Sequence, residues 1–182
     1  MNTERQKLKD EVYSNMATQL ARLSKDKNTH LGAIIIASDG TPVSFGYNGT
    51  VSGFDDDSVP HSRDIETLHY TLVKVDTSEA TECTFVSNKY PFMSHAESNA
   101  IFFADKNKLN GSTIYITGFP CENCALQIAR ANISRVVVND LDSNLDSGST
   151  VNQDLTKSMY IFAQKGIKLT WNGDNYILKC EK

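Results

Sequence analysis

Residues 95–138 read HAESNAIFFADKNKLNGSTIYITGFPCENCALQIARANISRVVV, and helical and strand patterns alternate along them. Residues 95–105 carry a helical period, Asn110-Gly111 breaks it, and 113–117 alternate as a strand. Residues 121–131 predict another helix, and 134–138 (SRVVV) a further strand. Upstream, the apolar run 31–37 (LGAIIIA) ends at Ser38-Asp39-Gly40, and 42–47 reads as its hairpin partner. This is a βαβαβ rhythm, which implies an α/β fold: a sheet covered by helices on its faces.

Toward the N-terminus, Leu8, Val12, Met16, Leu20 and Leu23 have the spacing of one helical face, and Thr3 with Gln6 reads as a capping box. Toward the C-terminus, 155–165 predict a helix closed by Gly166, then a strand at 167–171. Asn172-Gly173 suggests a hairpin into 176–178. Between about 49 and 94 periodicity disappears in a long loop carrying Asp55-Asp56-Asp57 and Pro60, with a short helix expected near 63–74. With no internal repeat or linker, residues 1–182 read as a single domain.

The 182 residues are 40% hydrophobic and 22% charged, which excludes disordered and collagen-like chains. A formal charge of -4 argues against a polymeric nucleic acid partner. The N-terminus is charged and lacks an apolar h-region. No stretch approaches the ~20 apolar residues of a membrane span, so a cytoplasmic chain without a membrane partner is expected. Four cysteines, two of them at C-x-x-C spacing, fit a reducing compartment.

Two short motifs carry chemistry. His95-Ala96-Glu97 opens one predicted helix, and Pro120-Cys121-Glu122-Asn123-Cys124 opens the next. Cysteines at i and i+3 in a first helical turn point the same way, and the helix dipole favours their thiolates. One imidazole and two thiolates supply three zinc ligands and leave the fourth tetrahedral position for water, as in a catalytic site. Glu97, two residues from a ligand, is placed to shuttle protons. Each motif alone has a plainer reading: C-x-x-C as a redox pair or half a zinc ribbon, and Ser94-x-x-Glu97 as a capping box. Together, H-x-E and P-C-x-x-C form the signature of zinc nucleobase deaminases.

Further stretches add to that signature: Ser24-Lys25-Asp26, Thr29, Gly32-Ala33, Gly46-Tyr47-Asn48-Gly49, and Lys89-Tyr90-Pro91 running into HAESNAI. With these, residues 17–138 resemble the deoxycytidylate (dCMP) deaminases of the cytidine deaminase-like superfamily. The resemblance implies a three-layer α/β/α fold with a mixed five-stranded sheet. It also implies hydrolysis of dCMP to dUMP and ammonia in pyrimidine deoxynucleotide metabolism. By the same resemblance one zinc ion per chain would be held by His95, Cys121 and Cys124, with Glu97 as the catalytic proton shuttle. The Ala96 N–H would bond the base O2 and Asn48 the deoxyribose. Many members form hexamers activated by dCTP and inhibited by dTTP, so a regulated homo-oligomer is the expectation.

Two other readings compete: a deaminase of another cytosine nucleoside or nucleotide, and a catalytically silent zinc-stabilised nucleotide-binding protein. Glu97 favours an enzyme. Residues 139–151 hold Asp140, Asp142 and Asp146 without a cation, so a substrate phosphate is expected elsewhere, with Lys25 preferred over Lys27, Arg63 and Lys89. His61, His69 and Cys83 are the residues a second, structural zinc would need, but their spacing matches no common finger and solvated histidines are the preferred reading.

Overall fold

Strand β1 (Gly32–Ile36) is apolar throughout because both its faces are covered. Ala33 and Ile35 enter one hydrophobic cluster, Ile34 and Ile36 another on the opposite side. A computed structural model describes residues 3–139 and 153–180, which form two compact units. The first comprises Met1–Gly49 and Ser94–Lys182, the second Thr50–Met93.

In the first unit, β1 pairs antiparallel with β2 (Pro42–Tyr47) and with β7 (Thr113–Ile116). From β7 the sheet continues in parallel through β8 (Arg135–Val138) and β9 (Lys168–Trp171). The expected mixed sheet is present, extended by a short antiparallel edge strand, β10 (Asp174–Tyr176). The β9–β10 turn is Asn172-Gly173, both at positive φ (47° and 90°), the conformation a two-residue hairpin loop of this hand requires.

Helix α1 (Thr3–Ala21) covers one face of the sheet; α2 (Ala96–Phe102), α3 (Glu122–Arg130) and α4 (Gln153–Lys165) lie on the other side. The layers are thus α/β/α. Against β1, α1 presents Ser14, Ala17 and Ala21, all buried. Of the expected apolar face, Leu8, Val12, Met16 and Leu23 point to solvent, while Leu20 packs against the cluster on this side of the sheet. Gly32 shows why: a Cβ there would lie 2.1 Å from the Ala17 carbonyl oxygen, so only small residues fit between helix and strand. The Thr3 side chain of the expected capping box lies outside what is described; Gln6 Nε2 donates to Asp10 Oδ1 at 2.9 Å.

In the second unit the short helix expected near 63–74 is instead a strand. β4 (Glu66–Val73) pairs in continuous antiparallel register with β5 (Ala80–Ser87), from Glu66 opposite Ser87 to Val73 opposite Ala80. Thr67, Tyr70, Thr71 and Val73 face Val86, Cys83, Glu82 and Ala80, a composition rich in β-branched and aromatic residues. Tyr70 meets Phe85 edge-on, centroids 6.2 Å apart. The two-residue strands β3 (Gly49–Thr50) and β6 (Met93–Ser94) flank this segment in sequence. The acidic positions Asp140, Asp142 and Asp146 lie outside the described residues.

Candidate metal and catalytic centre

Both motifs sit at helix starts, and both helices open on an extended residue that leaves its own helix uncapped. His95 is the N-cap of α2 (ψ 151°) and Cys121 the N-cap of α3 (ψ 167°), and neither side chain bonds back to its helix. Imidazole and thiol are thereby free to point across. His95 Nδ1 lies 3.6 Å from Cys121 Sγ and 3.4 Å from Cys124 Sγ. A tetrahedral zinc with ordinary Zn–N and Zn–S lengths separates N from S by about 3.6 Å, so this donor set fits zinc. Among the described residues it is the one His/Cys/Asp/Glu group whose ligand atoms converge, all within 4.8 Å.

The surrounding packing holds the two helix starts in place. α2 approaches β2 so closely that a Cβ on Gly46 would lie 2.3 Å from the Ala96 carbonyl oxygen. Asn99 Nδ2 donates to the Tyr47 carbonyl (2.8 Å) while its Oδ1 accepts from Ser94 Oγ (2.7 Å). Ser94 is thus engaged with Asn99, and the Ser94–Glu97 capping box does not form. On the α3 side, the fully buried Ser158 of α4 donates to the carbonyl of Pro120 (2.8 Å), and Lys157 pairs with Glu122 (2.6 Å). None of these clamps announces itself as a motif; Asn99, at i+4 from His95, was the most accessible to a sequence reading.

Glu97 is 5% exposed, and its Oε2 has no hydrogen-bond partner. A buried carboxylate oxygen without a partner is costly unless it serves a water or a ligand. Burial holds its carboxyl above the ordinary range, against the pull of the nearby His95. The hydrogen bond with Cys121 raises the His95 pKa. Cys121, hydrogen-bonded by Cys124 and His95, is drawn down to about 3, whereas the hydrogen bond with Cys121 and burial push Cys124 up.

The remaining sequence candidates fall at several places. The Ala96 N–H lies in the first turn of α2, where backbone donors have no intrahelical acceptor. Asn48 is buried and tied into the fold: its Oδ1 accepts from Leu31 N (2.8 Å) and its Nδ2 donates to the Thr29 carbonyl (2.8 Å) and Asp26 Oδ2 (3.5 Å). The stretches 24–26 and 46–49 therefore meet in space, and the backbone of Lys25 lies beside Gly49. His69 and Cys83 sit on opposite faces of the β4–β5 hairpin, since His69 pairs with Thr84 and Cys83 with Tyr70. They cannot share one metal; His69 is exposed, whereas His61 is half-buried, with its Nε2 2.7 Å from the Asp56 carbonyl oxygen. A cavity of about 490 Å³ lined by Asp10, Arg135, Thr170 and Asn175 lies against α1, away from the His/Cys group.

An imidazole and two sulfurs around one point, with a buried carboxylate beside them on an α/β/α sandwich, fit the centre of a metal-dependent hydrolase. Residues 7–140 match the family model of the cytidine and deoxycytidylate deaminase zinc-binding region. The human deoxycytidylate deaminase is 32% identical over 94% of this chain and 82% of its own length. That of Mycobacterium phage D29 is 33% identical over 70% of this chain and 91% of its own. The crystal structure of the dCMP deaminase from cyanophage S-TIM5 superposes with a TM-score of 0.57 at 23% identity, covering 94% of this chain and 99% of that one. The chain belongs to the cytidine and deoxycytidylate deaminase family. Among the described residues no helix is long and apolar enough to cross a membrane.

Proposed function

We propose that this protein is a zinc-dependent hydrolase that converts dCMP and water to dUMP and ammonia. The observation that carries the reading is the buried, unpartnered Oε2 of Glu97 beside the converging His95, Cys121 and Cys124. Relatives at 32–33% identity carry the name deoxycytidylate deaminase, and a structural neighbour was solved with dCMP and dUMP.

His95, Cys121 and Cys124 hold one zinc ion per chain, which when bound supplies the Lewis acidity that makes water a nucleophile near pH 7. Glu97 takes the proton that water loses as its oxygen bonds to C4 of the cytosine, and hands it to ring N3. It then carries the second proton from that oxygen to the C4 amino group, so the C–N bond breaks and ammonia departs. The N–H of Ala96 holds the base O2. Asn48, whose two amide hydrogens are engaged with the fold, offers its second Oδ1 lone pair to a sugar hydroxyl. Lys25, whose backbone lies beside Gly49 next to this sugar contact, binds the 5'-phosphate.

A homo-oligomer, a hexamer by resemblance, responding to dCTP and dTTP completes the proposal. Cytoplasmic residence is supported by four unpaired cysteines. The test is Glu97→Gln: the variant keeps its zinc and its circular dichroism and loses at least about 10²- to 10⁴-fold in dCMP turnover. A variant with near wild-type turnover removes Glu97 from the chemistry.

A further inference from the structure

His95 and Ser98 stand three residues apart on α2, as Cys121 and Cys124 do on α3. At that spacing each pair shares one helix face, and the two faces meet. His95 Nδ1 is 3.4 Å from Cys124 Sγ, and Ser98 Oγ is 3.8 Å from the same sulfur.

The two sulfurs are supported differently. Cys121 Sγ is partly exposed and receives the backbone N–H of Cys124. Cys124 is 1% exposed, so water does not reach its sulfur, and a desolvated thiolate depends on protein donors. In a protein without metal either partner of the Ser98–Cys124 pair can donate. A sulfur bound to metal has no proton, and the hydroxyl must then be the donor.

We propose that Ser98 is a positioning residue of the metal centre, its hydroxyl donating a hydrogen bond to the ligating sulfur of Cys124. The hydroxyl fixes the direction of that sulfur and takes up part of its charge, and it links α2 to α3 by a contact additional to the ligands. The inference rests on the zinc reading of the centre given above. Partners of ligating groups at this remove are worth about 10- to 100-fold in metal affinity.

The experiment compares two pairs that differ in the hydroxyl, wild type with Ser98→Ala and Ser98→Thr with Ser98→Val. Ala fits the space and is the better helix former, and Thr and Val are nearly isosteric. Zinc affinity is read by competition with a chromogenic chelator, and the thiolate-to-metal charge-transfer band is read on the cobalt(II)-substituted proteins. In each pair the hydroxyl-bearing member binds zinc about 10- to 100-fold more tightly, and its cobalt band is displaced from that of its partner. Equal affinities and coincident bands within both pairs overturn the role of Ser98 while leaving the centre intact. A wild type that binds no zinc overturns the centre itself, which keeps the two failures apart.

Discussion

His95 Nδ1 lies 3.4 Å from Cys124 Sγ although 29 residues separate them in the chain. Helix α2, then β7 with its flanking loops, fill the interval and return α3 beside α2, so that both helix starts open at one point. The purified protein is therefore expected to carry about one zinc per chain by metal analysis. Cys121→Ser and Cys124→Ser each lose most of it. Removing zinc with a chelator lowers the thermal midpoint, because a ligand bound only by the folded state stabilises it by mass action.

Gly46→Ala is expected to damage fold and centre together. The new methyl meets backbone on two sides, 2.3 Å from Ala96 O and 2.5 Å from Ala100 N, and no rotamer relieves that. Helix α2 must move off β2, at a cost of at least about 1–3 kcal/mol. Urea denaturation measures the loss, and zinc content falls with it because His95 rides on the same helix.

The apolar period of residues 8–23 correctly marked a helix but not its buried side. Close approach of α1 to Gly32 requires small residues at Ala17 and Ala21, with Tyr13 and Leu20 packing to either side, a constraint set by the partner strand and invisible within the helix. The β4–β5 hairpin was missed for a related reason: residues on both its faces stay exposed, so burial imposes no alternation. The convergence of His95, Cys121 and Cys124 was legible because each of the two motifs is local, at fixed spacing from a helix start. Ser98 was not, because a serine gains its meaning only from a sulfur 26 residues away.

Asp10 and Arg135 bind α1 to the sheet by two hydrogen bonds, Nη1 to Oδ1 at 2.8 Å and Nη2 to Oδ2 at 2.6 Å. Burial raises the Asp10 pKa, but hydrogen bonds from Arg135, Gln6 and Tyr115 outweigh it and hold the carboxyl below its ordinary 3.8. The stabilisation is thus full above the unfolded pKa and is lost as pH falls through the lower folded value. Asp10→Asn leaves Arg135 without its charge partner and is expected to cost about 1–3 kcal/mol near neutral pH. That gap from wild type narrows below about pH 4, as denaturation series at several pH values will show.

Lys25→Ala is expected to lower kcat/KM on dCMP by about 10-fold or more, the scale of one charge-assisted bond to phosphate. Efficiency on deoxycytidine, which lacks the phosphate, stays as in wild type. Parallel steady-state kinetics on the two substrates make the comparison, and an equal effect on both removes Lys25 from phosphate binding.

The proposed reaction is hydrolytic deamination of a nucleotide at the His95, Cys121, Cys124 and Glu97 centre. Incubating the zinc-loaded wild-type protein with dCMP in ¹⁸O-labelled water, and analysing the products by mass spectrometry, tests it directly. The expected outcome is dUMP carrying one labelled oxygen in its base, one ammonia released per turnover, and far slower conversion of deoxycytidine. Absence of dUMP contradicts it, as does deoxycytidine conversion at equal efficiency.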